Sequence, residues 1–265
     1  MNFEHLQAYL VCATPRSGST LLCEMLRETG YAGQPLEHFE VLRHSSLPRQ
    51  PREYFEDAGS ARLLGLLAPT EAGTPSAEAP EQWWARIVAE GLSDNGVWAG
   101  KLMWGHAEDF LARARQLPGL GGADLRAALW TLLGEPRFVF VTRREKVEQA
   151  VSLWRAVQTR TWRAGEDSSD HSPVYDFEGI DLLLRRLESE ERAWSEWFAD
   201  VGVQPIHVTY EQLDTSPSET VTLVLGELGL PAHGVDVPRL SRQRDELSSI
   251  WIDRYRQELE QGRAA

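Results

Sequence analysis

The chain has 265 residues, more than one average domain and fewer than two, so we expect a single domain spanning 1–265. Hydrophobic residues at 42% and charged residues at 25% exclude wholesale disorder, a collagen-like repeat and a coiled coil. Lysine and arginine number 27 against 40 aspartate and glutamate, and the resulting net charge of −13 argues against a general nucleic-acid or anionic-membrane binder. Lys101 and Lys146 are the only lysines, so nearly every cation is an arginine, a residue suited to bidentate contacts with phosphate or sulfate.

The N-terminus and the cysteines indicate a cytoplasmic protein. Residues 1–5 lack the basic segment and apolar stretch of a secretory signal, and no apolar run approaches the roughly 18 residues that span a bilayer. Cys12 and Cys23 cannot form a disulfide framework, and neither has partners at metal-ligand spacing, so we predict two buried thiols.

Short apolar runs, typical of buried strands, alternate along the chain with segments of helical periodicity, and this order predicts an α/β fold. The predicted strands are 9–13, 97–102, 138–141 and 206–208, and the predicted helices lie around 21–26, 107–116, 123–134, 146–162, 180–199 and 218–228. This order is typical of a parallel sheet covered by helices on both faces. Residues around 40–82 are rich in Pro, Gly, Ser and Ala, and we interpret them as a loop-rich insertion within the domain.

A polar loop, 13–20, connects the first predicted strand to the first predicted helix. Strand, loop and helix in this order form a phosphate-binding arrangement, in which backbone N–H groups and a helix N-terminus hold the anion. On the P-loop pattern, Ala13 takes the place of the first glycine, Gly18 of the second and Thr20 of the hydroxyl residue, while Ser19 stands at the lysine position. That lysine reaches the outer phosphates of a nucleoside triphosphate, so its absence argues against a kinase, and Arg16 could supply the cation instead.

A second candidate anion site follows the strand 138–141. Arg144 comes at the end of this strand and Ser152 follows eight residues later, in the next predicted helix. An arginine at the carboxyl edge of a parallel sheet and a hydroxyl on the adjoining helix could hold a second phosphate.

Together these motifs resemble the sulfotransferases that use 3′-phosphoadenosine 5′-phosphosulfate. The loop 14–20 is similar to the phosphosulfate loop of that family, and the Arg and Ser eight apart are similar to its 3′-phosphate motif. A third element also matches, in the segments 208–213, 221–225 and 228–230. Within the family the chain is most similar to the bacterial trehalose 2-sulfotransferases, through the segments 33–39, 51–55, 95–98, 100–104 and 154–159 and residues of the tail 242–256.

The resemblance implies a P-loop-like three-layer sandwich, a homodimer and no metal. It also implies a C-terminal tail at 239–260 that covers the donor nucleotide. The residues that it implies for binding this nucleotide are Arg16, Ser17, Gly18, Ser19, Thr20, Arg144, Ser152, Arg242 and Gln243. Gln34 stands where we expect an acidic residue in the trehalose enzymes, so the acceptor sugar stays open. The contact between subunits is expected within 40–58.

Transfer of a sulfuryl group to an alcohol requires a base near the reacting hydroxyl. We choose Glu37, which follows the first helix and has this role by resemblance, and we keep His38 and His106 as second choices. Lys101 ends the strand 97–102, where parallel-sheet proteins place ligand-facing residues, so we expect it beside the transferred group rather than at the surface. Arg16 completes the predicted catalytic set.

The acceptor is expected to be a small-molecule alcohol, most simply a carbohydrate. The candidate acceptor residues are Gln34, Glu37, Trp104, Arg155 and Trp162, with Trp98 also near the site, whereas Trp154, Trp194 and Trp197 are predicted to pack in the core. Two other functions stay open: a small-molecule kinase with a P-loop, and a nucleotide- or carbohydrate-binding module without turnover.

Overall fold

All strands of the described residues belong to one parallel sheet. The structure is a computed structural model that describes residues 7–40, 47, 49–55, 60–74, 77–162, 172–232 and 246–264. The strands are β1 (Gln7–Ala13), β2 (Val97–Met103), β3 (Arg137–Thr142) and β4 (Ile206–Thr209), and their order in the sheet is β2-β1-β3-β4. The two central strands are therefore β1 and β3, whose carboxyl ends lead into the two predicted phosphate-binding segments.

Helices connect these strands, as parallel pairing requires. Those of the first half are α1 (Ser19–Glu28), α2 (Ala61–Leu66), α3 (Pro80–Gly91), α4 (Ala107–Ala114) and α5 (Leu125–Leu133). Those of the second half are α6 (Lys146–Thr159), α7 (Phe177–Asp200), α8 (Tyr210–Thr215), α9 (Pro217–Leu228) and α10 (Glu246–Ala264). Short 3₁₀ turns lie at Pro51–Phe55 and Trp104–His106. Within the described ranges, no helix is both long and apolar enough to cross a membrane.

The two faces of the sheet bury different side chains because successive residues of a strand point to opposite sides. In β1, Leu10 and Cys12 belong to a core with α3, α4, α5 and the end of α7. Tyr9 and Val11 belong to the opposite core, with α1 and α9. Both faces of β1 are therefore covered, and every residue of this strand after Gln7 is buried.

A separate core lies in a second packing unit. The chain divides into one unit within 1–48, 73–144 and 190–239 and another within 49–72, 145–189 and 240–265. In the second unit α6 packs on α10, and Trp154 and Tyr255 are fully buried in its core. The first unit contains the sheet. The prediction of one domain with an insertion at 40–82 and a tail at 239–260 stays a prediction.

The predicted α/β class and its parallel sheet are confirmed. Each of the four predicted strands is present, and the described chain shows the strand–loop–helix order at 7–28 that defines a P-loop-like start. Trp154 and Trp194 are fully buried, as predicted. Trp98 is also fully buried, so its ring offers no surface to an acceptor, and it donates from Nε1 to the carbonyl of Ile87 at 3.1 Å. It lies in the core because β2 turns its side chain to the face opposite Lys101.

Candidate active site

The loop after β1 has the backbone shape of an anion-binding turn. Arg16 and Gly18 both have positive φ, at 61° and 87°, and a non-glycine residue in this region is uncommon. Gly18 precedes α1 directly, and no side chain caps the helix. The first N–H groups of α1 therefore lack intrahelical partners, and its first turn carries no acidic residue to compete for them.

Ser17 gives a second indication that this loop is built for a ligand. Its hydroxyl is buried and has no hydrogen-bond partner among the described residues. A buried polar group without a partner is costly, so a bound anion that accepts from this hydroxyl would stabilise the loop. Ser19 is also buried, whereas Arg16, Gly18 and Thr20 keep partial exposure.

The segment that carries Glu37 runs along the outer edge of β2. Gly33, with φ of 77°, comes so close to this strand that an added Cβ would lie 2.7 Å from the Cβ of Ala99. A few residues later, the N–H of Lys101 donates to the carbonyl of Leu36 at 2.8 Å. This backbone contact places Glu37 beside Lys101 although the two lie far apart in the sequence.

Lys101 joins Glu37 to the loop 13–20 through Thr20. It is paired with Val11 across the sheet, so its side chain points to the face that α1 covers. There its Nζ donates to Thr20 Oγ1 at 2.9 Å and forms a salt bridge with Glu37 Oε1. The Lys101 side chain is only 3% exposed, so it is not a surface lysine, while the Glu37 side chain keeps 27% of its surface exposed.

The ion pair holds both groups in their charged forms. Burial alone would raise the pKa of Glu37, but the ammonium of Lys101 outweighs it and holds that pKa below its ordinary value. Burial alone would lower the pKa of Lys101, and the carboxylate of Glu37 raises it above its ordinary value. Glu37 is therefore an ionised carboxylate at neutral pH, able to accept a proton but only a weak base.

The two histidines kept as second choices differ in their surroundings. His38 is buried, and its Nε2 lies 2.9 Å from the carbonyl of Gln34 while Nδ1 lies 3.5 Å from a carboxylate oxygen of Glu90. Both ring nitrogens of His38 thus face protein groups, which favours a structural role. His106 is buried after β2, and its charge acts to lower the pKa of Glu37.

Arg144 lies just after β3 with an exposed side chain. Its backbone N–H donates to Glu211 Oε1 at 3.0 Å. Ser152 lies in α6, within the second packing unit, and is half-buried. Arg242 and Gln243 lie outside the described residues. The donor-site roles of these four residues stay predictions.

The candidate acceptor residues fall in both packing units. In the first unit, the backbone N–H of Gln34 donates to the carbonyl of Gly91 at 2.9 Å. Trp104 packs edge-on against Trp194, with 5.0 Å between the ring centroids. In the second unit, Arg155 donates to Ser248 at 2.6 Å, and the ring of Trp162 stacks 6.1 Å from that of Tyr54. Their roles toward an acceptor stay predictions.

The cysteines are buried free thiols, as predicted. Burial raises the pKa of Cys12 well above its ordinary value and that of Cys23 to about 12. Neither is therefore a reactive thiolate at neutral pH. Among the described residues, no three His, Cys, Asp or Glu side chains are grouped so that they could hold a metal ion. The prediction that the reaction uses no metal stays a prediction.

Comparison with known proteins identifies the family. The sequence profile described as Stf0 sulphotransferase matches residues 8–258, so the chain belongs to this sulfotransferase family. It is 43% identical over 255 residues to a trehalose 2-sulfotransferase of Mycobacterium tuberculosis, covering 96% of each chain. It is 40% identical over 259 residues to the trehalose 2-sulfotransferase of Mycolicibacterium smegmatis, covering 97% of each. A solved sulfotransferase from Mycobacterium avium is 12% identical and superposes with a TM-score of 0.43 over 97% of this chain and 68% of that one.

The Lys101–Glu37 pair predicts a pH-dependent contribution to stability. The pKa of Glu37 is lower in the folded chain than in the unfolded chain. Its contribution to the free energy of unfolding is therefore complete above the ordinary glutamate pKa of about 4.3 and is lost as the pH falls through the pKa of the folded chain. Lys101→Met should lower the free energy of unfolding at pH 7 by up to about 3–5 kcal/mol, because it leaves a largely buried carboxylate unpaired. The deficit should shrink in acid, where Glu37 takes up a proton.

Urea unfolding from pH 3 to pH 8 measures this difference. Lys146→Met is the matched control. It removes the other lysine charge, which lies in α6 and donates from Nζ to Gln149 Oε1 at 3.3 Å, and it should give a small deficit at every pH. A Lys101→Met deficit that is equal at pH 3 and pH 7 would contradict the pairing.

Proposed function

We propose that this protein transfers the sulfuryl group of 3′-phosphoadenosine 5′-phosphosulfate to a hydroxyl of trehalose. The observation that carries the proposal is the Lys101 ammonium, which joins an ionised carboxylate to the phosphate-binding loop within a sulfotransferase-family chain. The acceptor comes from the trehalose 2-sulfotransferases, which the chain matches over nearly its full length. A cytoplasmic location and a homodimer are proposed from the sequence alone.

The donor's 5′-phosphate is assigned to the loop 14–20. Arg16 and the backbone N–H groups at the start of α1 would bind it and stabilise the charge that develops on the leaving oxygen. Arg144 and Ser152 are assigned to the 3′-phosphate, and Arg242 and Gln243 to the tail that covers the nucleotide. This set suits a single 5′-phosphate, because the loop has Ser19 where a triphosphate-binding loop has lysine.

In the reaction, the acceptor oxygen attacks sulfur as the bond between sulfur and the 5′-phosphate oxygen breaks. The hydroxyl proton passes to Glu37, and 3′,5′-bisphosphoadenosine leaves with the bonding electron pair. In a loose transition state the bond to the nucleophile forms late, so the hydroxyl becomes acidic late and a carboxylate of low pKa suffices as the base.

Lys101 is assigned to the transferred group. An ammonium has three N–H donors, and the contacts with Thr20 and Glu37 use two of the three. We assign this third donor to an oxygen of the sulfuryl group. Its positive charge would then lie between the carboxylate that takes the proton and the group that is transferred.

The acceptor side is assigned to Gln34 and Trp104 in the first packing unit. The amide of Gln34 can donate to and accept from sugar hydroxyls, and Trp104 offers a partly exposed aromatic surface to the apolar face of a pyranose. Arg155 and Trp162, in the second unit, are further candidates from the sequence.

Incubation with ³⁵S-labelled donor tests the proposed reaction. We expect label in trehalose, together with an equal amount of 3′,5′-bisphosphoadenosine, in the absence of added magnesium. Maltose and sucrose serve as acceptor controls, because they differ from trehalose in linkage or ring composition. Transfer to no sugar would refute the acceptor, whereas phosphorylation that requires ATP and magnesium would identify a kinase instead. Stabilisation by sugar alone without turnover would identify a binding module.

Glu37→Gln tests the base. The amide keeps the size of the side chain but cannot take the proton, so kcat should fall on the order of 10²- to 10⁴-fold. The Kd for 3′,5′-bisphosphoadenosine should change little, because Glu37 is assigned to the acceptor hydroxyl and not to the nucleotide. Steady-state kinetics and calorimetry measure both quantities.

The control for Glu37→Gln is Glu28→Gln, which removes one exposed carboxylate at the end of α1. It should retain the kcat of the unsubstituted protein. Near-normal turnover in Glu37→Gln would mean that the proton leaves through His38, His106 or water instead.

A further inference from the structure

The segment 208–213 matches the family in sequence, but the reaction described above gives its side chains no role. It covers the end of β4 and the first turn of α8, where Tyr210 and Glu211 are adjacent. One of these side chains contacts the phosphate-binding loop, and the other contacts the backbone of Arg144.

The ring of Tyr210 lies directly against Gly18. A Cβ added at Gly18 would be 2.7 Å from Cδ2 of Tyr210, a separation that side chains do not tolerate. Because Gly18 also has φ of 87°, this position requires glycine for both space and conformation. The ring therefore closes one side of the loop at the residue that starts α1.

Arg143 connects the same ring to the strained part of the loop. Its guanidinium carbon lies 4.3 Å from the ring centroid of Tyr210, within the range of a cation–π contact. Its Nη1 donates to the carbonyl of Arg16 at 3.4 Å. Arg16 has a positive φ, a conformation that persists in non-glycine residues only where the surroundings enforce it. Tyr210 and Arg143 thus support both loop residues with positive φ.

Glu211 contacts Arg144, the residue predicted to bind the 3′-phosphate. Its Oε1 accepts from the backbone N–H of Arg144 at 3.0 Å. An acceptor with a full negative charge makes this a charge-assisted bond, stronger than a neutral one. It fixes the backbone from which the exposed Arg144 side chain extends.

The turn that presents these two residues is itself held in place. Thr209 Oγ1 accepts from the N–H of Gln212, and Gln212 Oε1 accepts from the N–H of Thr209 at 2.8 Å, which forms a capping box. Thr142 Oγ1 and His207 Nε2 lie 3.0 Å apart and tie β3 to β4. The first turn of α8 is therefore a fixed support for two different segments.

We propose that Tyr210 and Glu211 are positioning residues that act separately on the two ends of the donor nucleotide. Tyr210 fixes the loop that binds the 5′-phosphate, and Glu211 fixes Arg144, which binds the 3′-phosphate. This inference rests on the proposed donor. It assigns two adjacent side chains to two different phosphates, so their substitutions should differ in ligand selectivity.

Calorimetry with 3′,5′-bisphosphoadenosine and adenosine 5′-monophosphate tests the proposal. Tyr210→Leu should weaken both ligands on the order of tenfold, because both place a phosphate in the loop. Glu211→Ala should weaken the bisphosphate by a similar factor and leave the monophosphate nearly unchanged, since only the bisphosphate contacts Arg144. Arg144→Ala is the reference, with the same selectivity as Glu211→Ala and a larger effect.

Conservative variants separate positioning from general stability. Tyr210→Phe keeps the ring against Gly18, so it should bind as the unsubstituted protein does. Glu211→Gln keeps an acceptor for the Arg144 N–H but loses the charge, so it should weaken the bisphosphate less than Glu211→Ala does. In turnover, Tyr210→Leu and Glu211→Ala should raise the KM for the donor more than they lower kcat. Circular dichroism and the Tm of each variant show whether it folds, and if Tyr210→Leu does not fold, the Glu211 pair of variants decides the outcome.

Two results would overturn the proposal. If Glu211→Ala weakened both ligands equally, or neither, then Glu211 would not act through Arg144 on the 3′-phosphate. If Tyr210→Leu left both affinities unchanged, then the ring would not set the shape of the loop. Failure of the donor proposal looks different: the unsubstituted protein itself would then bind the bisphosphate no more tightly than the monophosphate.

Discussion

The buried ammonium of Lys101 is the constraint on which the candidate active site depends. A charge removed from water is costly unless it is paired and hydrogen-bonded, and Lys101 meets both conditions through Glu37 and Thr20. These partners come from the segment that follows α1 and from the first turn of α1, while Lys101 itself comes from β2. One charged group therefore sets the positions of three separate segments, and it keeps ionised the carboxylate that the proposed reaction needs.

Close backbone approach makes this arrangement possible. Gly33 lets the chain lie against β2, so that Leu36 can accept from Lys101, and Gly18 lets the loop lie against the ring of Tyr210. Both positions combine a positive φ with a space too small for a side chain. The loop 13–20 is consequently bordered by α8 on one side, and Glu37 reaches Lys101 from the edge of the sheet.

The sequence predicts the parts of this fold that local patterns determine. The four strands and the loop 13–20 are short apolar runs followed by turn residues, and the structure contains them at nearly the predicted bounds. The first part of α3 falls within 40–82, where few elements were predicted, although Pro80 at its start and the spacing of Trp84 and Val88 are helix signals. The predicted helix from 146 ends at Thr159 rather than at Trp162, because Arg160 adopts a left-handed conformation usually filled by glycine.

Contacts between distant segments could not be predicted in this way. The sequence suggests Lys101 and Glu37 as separate candidates, but their ion pair depends on how the segment 33–37 lies along β2. The same holds for Tyr210, Glu211 and Arg143, whose spacing gives no sign that they contact the loop and Arg144. Trp98 was expected nearer the site than the core tryptophans, but the alternation of β2 turns its side chain into the core on the face opposite Lys101.

The pKa of Glu37 is the quantity that tests this account most directly. A ¹³C NMR titration of the side-chain carboxyl, assigned by comparison with Glu37→Gln, measures it in the folded protein without turnover. The groups that face it include Lys101, Glu40 and His106, and the ammonium is the nearest opposing charge. We predict a midpoint below the ordinary glutamate value of about 4.3, and a midpoint above that value in Lys101→Met. A midpoint at or above the ordinary value in the unsubstituted protein would contradict the ion pair and the base that depends on it.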